Sequence, residues 1–328
     1  VMALPSSGEI KISDILSEGG VSSTLANASL GNLENESYFV INTANPSTDY
    51  PDGSVPAAIS EWYGYDHNAS TGNQNVNYWE FDRSAEGLRF DRASGTSFTT
   101  GSDICFSFWV RPDWASTDTN ATLVELTPNT TSTNDRFFLL YDFGLNRLIA
   151  RHRSNGVNSR GVHWNLQSNN TQTGTGSAKW SSSNVGNVNT GGLAHIVLTY
   201  DASASTGATA FDCYWNGAKM TSKLTNLTGT ITAFSIEDVF INKNVSNTGS
   251  SREARYDNVA VFHNKMLSQS EITTLYNSGG SLPPEDVALD DNVMFVFDAE
   301  NDPPTAESGT DFTTTWSVGL DQGSAIAY

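Results

Sequence analysis

The stretch Tyr256–Gly280, YDNVAVFHNKMLSQSEITTLYNSGG, carries the clearest secondary-structure signals in the chain. Its first part, Tyr256–His263, is rich in β-branched and aromatic side chains, which favour a strand. Ser268 stands three positions before Glu271, the spacing at which a hydroxyl and a carboxylate cap a helix, and apolar side chains then recur on one helical face before two glycines. The stretch therefore predicts a strand followed by a short helix over Leu267–Asn277.

Short apolar segments bounded by turn residues recur at regular intervals on both sides of this stretch. In Ile104–Arg111, apolar side chains occupy one face and Cys105, Ser107 and Trp109 the other, which predicts a central strand buried on both faces. Such regular spacing is typical of an all-β sandwich or jelly roll. The predicted strands are Tyr78–Phe81, Gly87–Phe90, Ile104–Arg111, Thr122–Leu126, Arg136–Asp142, Arg147–His152, Ala194–Tyr200, Ala210–Trp215, Val239–Ile241, Tyr256–His263 and Asn292–Phe297.

The composition agrees with an all-β fold. Only 16% of the 328 residues are charged and 11% are aromatic, and the helix formers Lys, Glu and Arg are sparse. Aromatic side chains suit sheets that pack face to face, and their number argues against disorder. The cysteines, Cys105 and Cys213, both lie in predicted strands. We interpret them as two buried thiols, with a disulfide between them as the open alternative.

Acidic residues outnumber basic ones by 36 to 17, which gives a formal net charge of −19. Phosphate backbones and anionic membrane surfaces repel such a chain at long range, so we expect no nucleic-acid partner. No apolar run approaches the roughly 20 residues that span a bilayer, and the first residues lack the pattern of a signal peptide. We therefore expect neither membrane insertion nor an export signal.

Four segments together resemble the laminin G-like branch of the concanavalin A-like lectin and glucanase superfamily. The resemblance implies two antiparallel sheets packed as a jelly-roll β-sandwich, which we place at residues 71–300. The segments are Phe106–Pro112 (FSFWVRP), Ala194–Asp201 (AHIVLTYD), Tyr214–Gly217 (YWNG) and Tyr256–Gly280.

Residues 1–70 contain many Gly, Asn, Ser and Pro residues and few apolar runs. Ile10–Leu16, IKISDIL, alternates apolar and polar side chains and then offers Ser13 as a helix N-cap. Ser37–Asn42, SYFVIN, is strand-like. A segment of this kind needs a partner surface to stay ordered.

Two stretches of this segment, Ala3–Ile15 and Ile59–Tyr65, resemble a short N-terminal module of tailed-bacteriophage structural proteins. The module usually ends in Asp-Phe-Tyr-Gly, where this chain has Glu-Trp-Tyr-Gly at Glu61–Gly64. The resemblance implies a tail fibre, head fibre or decoration protein whose short, extended segment 1–70 docks on other virion proteins. It also implies a virion location, synthesis in the host cytoplasm without a signal peptide, and a homo-oligomer or many copies per particle. Residues 301–328 are expected to form a tail that packs on the sandwich or on neighbouring subunits.

Catalytic motifs are absent from the sequence. Adjacent carboxylates at Glu237 and Asp238 would point to opposite faces of a strand, whereas a glycosidase needs two on one face. No histidine pair has zinc-site spacing, and neither a Gly-x-Ser-x-Gly elbow nor a phosphate-binding loop occurs. We therefore predict a non-enzymatic protein that requires no cofactor.

Calcium is the one metal that the resemblance brings into question. Laminin G-like and lectin sandwiches often hold Ca²⁺ with Asp carboxylates and backbone carbonyls, and Asp257 occupies a fitting position in the family segment. Asp82 or Asp91 would be its partner. The alternative is an aspartate that binds backbone amides or lies in solvent, because no dense Asp-x-Asp-x-Asp loop occurs.

Candidate sugar-binding residues cluster around a long connection, Ser154–Gly192. An indole there can stack on a pyranose while Asn, His and Arg reach hydroxyls or acidic groups. The same tryptophans could instead anchor the loop to the sandwich. The candidate ligand-binding residues are Arg151, His152, His163, Trp164, Asn165 and Trp180.

Three functions are compatible with these features. The first is a virion protein whose sandwich faces outward and adheres to host-surface glycans, with many copies strengthening weak single-site binding. The second is a structural decoration protein that packs on neighbouring subunits and binds no sugar. The third, supported least, is a glycan hydrolase of the same fold.

Overall fold

The computed structural model divides the chain into two compact units, Val1–Asn73 and Gln74–Tyr328. None of the helices in the described part of the chain has the length and hydropathy to cross a bilayer. The structure describes residues 10–18, 21–24, 28–34, 38, 62, 77–81, 86–112, 120–142, 145–166, 193–245, 253–276, 284, 287–289, 291–297, 304–320 and 324–327.

The first unit contains two short helices, α1 (Ile12–Glu18) and α2 (Leu30–Glu34). Their side chains contribute to a small apolar cluster within this unit, which contains Ile10, Ile15, Leu16, Leu33 and Trp62. Each of these side chains is at most 7% exposed. The unit therefore has an apolar centre, although it is small.

The helical turn predicted within Ile10–Leu16 is present, but Ser13 lies inside the helix rather than at its N-cap. The helix begins at Ile12, two residues earlier than a Ser13 cap implies, because the Asp14 carboxylate accepts a hydrogen bond from the Lys11 backbone N–H (2.9 Å) and caps the helix start. Burial of Ile15 and Leu16 then favours the helical period. Of the strand predicted at Ser37–Asn42, only residue 38 lies within the described residues.

The second unit is almost entirely β-structure, with two further short helices, α3 (Gly207–Ala210) and α4 (Gln269–Tyr276). Every pair of strands described in it is antiparallel. The strands are β1 (Asn77–Phe81), β2 (Leu88–Ser94), β3 (Phe98–Thr99), β4 (Ile104–Pro112), β5 (Asn120–Thr127), β6 (Arg136–Asp142), β7 (Arg147–Ser154), β8 (Val157–Asn165), β9 (Ala194–Tyr200), β10 (Phe211–Trp215), β11 (Ala218–Lys219), β12 (Lys223–Thr228), β13 (Ser235–Ile236), β14 (Asp238–Ile241), β15 (Ala254–His263), β16 (Val293–Phe297), β17 (Thr315–Leu320) and β18 (Ser324–Ala327).

Two eight-stranded sheets form the sandwich. Sheet A has the order β11-β10-β9-β4-β15-β1-β18, with β16 also paired to β15, and sheet B has the order β12-β8-β7-β6-β5-β14-β2-β17. A short pair, β13 and β3, lies beside them. Two pairs of consecutive strands connect the sheets at their edges. β11 is at an edge of sheet A and β12 at an edge of sheet B; likewise, β17 is at the other edge of sheet B and β18 at the other edge of sheet A. The sheets are thus joined by short crossings at these edges.

The core lies between the sheets, where aromatic rings from each inner face interlock. Phe106 of sheet A packs edge-on against Phe137 of sheet B, with ring centroids 5.4 Å apart, and Phe295 packs likewise against Phe90 at 5.2 Å. His152 Nδ1 and Tyr200 Oη share a hydrogen bond of 3.1 Å across the two sheets. The predicted antiparallel β-sandwich is therefore confirmed.

Sheet A is buried on its outer face as well, because helix α4 packs there. The outward side chains Cys105 and Phe262 join Leu267, Ile272 and Leu275 in a second apolar cluster. This explains the near-continuous apolarity of β4. Ser268 and Glu271 form the predicted cap: the Ser268 N–H donates to Glu271 Oε2 (2.7 Å) and the Glu271 N–H donates to Ser268 Oγ (3.4 Å).

The two cysteines lie on opposite faces of sheet A, which confirms two buried, unpaired thiols. Cys105 belongs to the outer cluster beneath α4, whereas Cys213 belongs to the core between the sheets. Burial raises the pKa of Cys105 to about 12 and raises that of Cys213 even further. Both thiols are therefore protonated at neutral pH and are chemically inert.

The apolar strands predicted from the sequence all occur, with bounds that differ by a few residues. Strands β3, β8, β11, β12, β13, β17 and β18 are additional. Strand β8 occupies the start of the predicted long loop, and β17 and β18 make the described part of the C-terminal segment an integral border of both sheets: β17 pairs with β2, and β18 pairs with β1.

Two aspartates face each other on the outward side of sheet B. Asp238 of β14 is the register partner of Asp91 of β2, and its side chain is buried. Arg89 binds the Asp91 carboxylate (Nε–Oδ1 2.7 Å) and also donates to the Gly319 carbonyl of β17 (3.2 Å). Burial, and then the neighbouring Asp91, raise the pKa of Asp238 to about 7. The pair therefore shares a proton below neutral pH and repels above it.

We expect Asp238→Asn to be more thermostable than the wild type at pH 8 but not at pH 4. The folded protein holds the Asp238 proton more tightly than the unfolded chain, so its stabilisation is complete below pH 4 and is lost as pH rises to about 7. The amide mimics the protonated acid at every pH. Melting temperatures of both proteins between pH 4 and pH 8 measure this, because the buried histidines contribute equally to both. A difference that does not change with pH contradicts the prediction.

Candidate functional site

The outward face of sheet B carries the charged side chains that the core excludes. In β7, RLIARHRS, alternation sends Leu148, Ala150 and His152 into the core, so that Arg147, Ile149, Arg151 and Arg153 point outward. The tight turn Asn155–Gly156, with φ angles of 51° and 78°, then returns the chain as β8. This hairpin fixes which residues of β8 lie beside the arginines.

Arg151 and His163 form the centre of this face. The Arg151 Nη2 group donates to His163 Nε2 at 2.5 Å. Gly161 is the register partner of Arg151, and a Cβ atom there would lie 2.5 Å from Arg151 Cδ. The glycine therefore leaves the space that the arginine side chain occupies.

His163 is neutral at physiological pH. Burial, and then the charge of Arg151, lower the pKa of His163 to about 4, and burial also lowers the pKa of Arg151. An arginine remains protonated nevertheless. Since Nε2 of the neutral imidazole accepts from Arg151, Nδ1 carries the hydrogen. The site thus presents a cationic guanidinium beside an imidazole N–H donor.

A family profile described as the concanavalin A-like lectin/glucanases superfamily, of the laminin G type, matches residues 82–273, more than half of the chain. The chain belongs to this family. The match contains every strand of sheets A and B from β2 to β15 and the first half of α4. The Arg151–His163 pair therefore lies within the laminin G-like domain.

Solved structures of low sequence identity resemble the domain. A heptameric SAP-like pentraxin from Limulus polyphemus gives a TM-score of 0.42 at 8% identity, over 75% of this chain and 94% of that one. A candidate carbohydrate binding protein from Bacteroides ovatus gives 0.42 at 12%, over 76% and 60%. A receptor binding domain gives 0.35 at 15%, and the matched region spans 54% of this chain but only 35% of that one. No curated protein matches the chain.

Two of the predicted ligand-binding residues point into the core of the laminin G-like domain, so their assignment is corrected. His152 and Trp164 are both fully buried, the first against Tyr200 and the second in the main apolar cluster. Each lies one residue away from an outward side chain, and a shift of one residue reverses the face. Neither ring can stack on a sugar.

Three of the other predicted ligand-binding residues, Arg151, His163 and Asn165, lie on the outward face of sheet B. Half-buried Asn165 is the register partner of Arg147 on the outward face, two residues from His163. Trp180 lies outside the described residues. The sequence analysis missed Gly161, Arg147 and Arg153, although strict alternation along RLIARHRS indicates the two arginines.

Calcium binding at Asp257 stays a prediction. The Asp257 carboxylate accepts a hydrogen bond from the Asn258 N–H (2.8 Å), at a bulge where β15 shifts register against β4. Of its two predicted partners, Asp91 lies in sheet B, whereas Asp257 lies in sheet A, and Asp82 lies outside the described residues. Within the described ranges, no three His, Cys, Asp or Glu side chains are grouped to hold a metal ion.

The carboxylates considered for hydrolysis have separate partners. Glu237 pairs with Arg92 (2.5 Å), and Asp238 lies against Asp91. A serine–histidine contact that sequence reasoning missed, Ser107 Oγ to His195 Nε2 at 2.9 Å, is buried beneath Tyr276 of α4. With His195 only 1% exposed, this pair serves packing rather than catalysis.

We expect Trp164→Ala to lower the free energy of unfolding by about 3–5 kcal/mol, because it leaves a large cavity between the sheets. Urea titration followed by circular dichroism measures the loss. Val157→Ala on the same strand is the matched control, since Val157 is 63% exposed, and its stability should change by less than about 0.5 kcal/mol. Equal stability of the two variants contradicts the burial of Trp164.

Proposed function

We propose that the laminin G-like domain binds glycans through the outward face of sheet B, and that the protein is a non-enzymatic component of a phage virion. The observation that carries the binding site is the Arg151–His163 pair. It offers hydrogen-bond donors at a fixed geometry on a rigid sheet, and sugar hydroxyls and acidic groups are their natural acceptors. The family fold supports a lectin-like role, because it is shared by lectins.

The virion role rests on the first unit. Residues 1–70 resemble the N-terminal module of phage structural proteins, and the unit Val1–Asn73 has its own apolar cluster around Trp62. A separate unit suits attachment to other virion proteins, while the sandwich carries out recognition. Display in many copies then compensates for weak single-site binding. Packing on neighbouring subunits without any glycan is the competing function.

The outward face of sheet B is expected to be required for binding to host cells. We predict that the double variant Arg151→Ala/His163→Ala binds at least ten times more weakly than the wild type, because it removes the central donors. Fluorescently labelled full-length protein, displayed multivalently on beads, is titrated onto cells of candidate hosts and onto a glycan array.

The matched control is Lys219→Ala/Arg255→Ala, which removes two cations from sheet A, one paired with Asp212 and one with Glu80. Its binding should equal that of the wild type after both proteins are shown to be folded. Absence of saturable binding by wild-type beads to any cell or glycan would favour the structural decoration role instead.

A further inference from the structure

We propose that the outward face of sheet B recognises its glycan through a carboxylate on an acidic sugar, which Arg151 binds with the help of Arg147, Arg153 and His163. This inference rests on the proposed glycan-binding function and specifies its ligand class. It begins from an imbalance of charge: the chain carries a formal net charge of −19, yet this face of β7 presents three guanidinium groups.

None of the three arginines forms an ion pair with any residue that the structure describes. Arg151 donates to neutral His163, and Arg153 Nη2 donates to the Gly156 carbonyl (2.8 Å). Arg89, Arg92, Arg136 and Arg255, by contrast, each pair with a carboxylate; Arg136, for example, binds the buried carboxylate of Glu125 (Nε–Oε1 3.0 Å). Half-buried guanidinium groups without a counter-charge are costly and favour an anionic partner.

Acidic side chains near this face do not supply the missing charge. Asp142 is the register partner of Arg147, but its carboxylate accepts the Leu145 backbone N–H (3.0 Å) and makes no ion pair with Arg147. Asp135, at the far end of the hairpin, accepts the Asn155 N–H (2.8 Å). Both carboxylates are therefore engaged by backbone at the turns.

Buried donors on the same face also lack acceptors. The Nδ1 atom of His163 and the Nε atoms of Arg147 and Arg153 are buried and make no hydrogen bond to any residue that the structure describes. His163 is only 8% exposed, so its free N–H is a built feature of the face rather than a solvated one. Unpaired buried donors need acceptor oxygens, and a sugar carboxylate with neighbouring hydroxyls supplies several.

The geometry suits one carboxylate rather than a dense polyanion. Strand rise places Arg151 roughly 7 Å from Arg153 and roughly 13 Å from Arg147, with Arg151 seated over Gly161 at the centre. A guanidinium in that position can bind both oxygens of a carboxylate at once. The net negative charge of the chain repels nucleic acids and polyphosphates at longer range.

The test is a binding comparison on matched sugars. Full-length protein is applied to an array of oligosaccharides containing uronic or sialic acid, each beside its carboxyl-reduced form, and the best pair is titrated by calorimetry. We expect the acid to bind at least ten times more tightly than its reduced form. Arg151→Gln should abolish this preference. Arg151→Lys should retain part of it, because lysine keeps the positive charge but cannot form two parallel hydrogen bonds to the carboxylate. Arg255→Gln, on sheet A, should leave it unchanged.

The outcomes separate this inference from the function on which it rests. Reduced oligosaccharides that bind as tightly as the acids would refute the carboxylate while leaving glycan binding intact. Competition by inorganic polyphosphate at equal concentration of charge would refute it too, since it would indicate unspecific attraction of anions. If no oligosaccharide of either form binds, the proposed function itself fails.

Discussion

The whole domain depends on the interlocking of two inner sheet faces. Phe137 of sheet B packs against Phe106, Tyr200 and Phe211 of sheet A, so every strand must direct alternate side chains to this layer. The two sheets differ in what remains on the outside. Helix α4 covers an apolar cluster on the outer face of sheet A, and the cations Lys219 and Arg255 of this sheet are paired with carboxylates, whereas sheet B keeps arginines, aspartates and a histidine on its outer face. The glycan-binding site that we propose lies on the outer face of sheet B.

Apolar content and alternation are local properties, and they suffice to predict the strands that build the core. Two of the strands that the sequence analysis missed, VNSRGVHWN and KLTNLT, are rich in polar side chains and become β8 and β12; β8 pairs with both β7 and β12, and its Val162 and Trp164 enter the core. The helix α1 was predicted with its cap at Ser13 instead of Lys11, because the reach of the Asp14 carboxylate back to the Lys11 N–H is not apparent from the apolar pattern. Long-range pairing is what a single sequence conceals.

The candidate site shows the same division between local and long-range information. Arg151 and His163 were recognisable as ligand-binding types, but His152 and Trp164, one residue away, belong to the core. The sequence of β7 indicates which of its side chains face the core. For β8, the face of each side chain depends on the register set by the Asn155–Gly156 turn. That Gly161 makes room for Arg151 follows only from this register. A residue's chemistry was therefore easier to predict than its direction.

The strands that border the sandwich have a consequence for how the protein is made. β1 and β2 open the domain in sequence, yet their outer partners are β18 and β17, more than two hundred residues later. On the ribosome, β1 and β2 lack these outer partners until residues 315–327 have emerged, so the sandwich is completed only after synthesis of these residues. Open strand edges attract other chains, and pairings this distant form slowly. Folding of the protein thus includes an interval in which unpaired strand edges are exposed and chaperones are most useful.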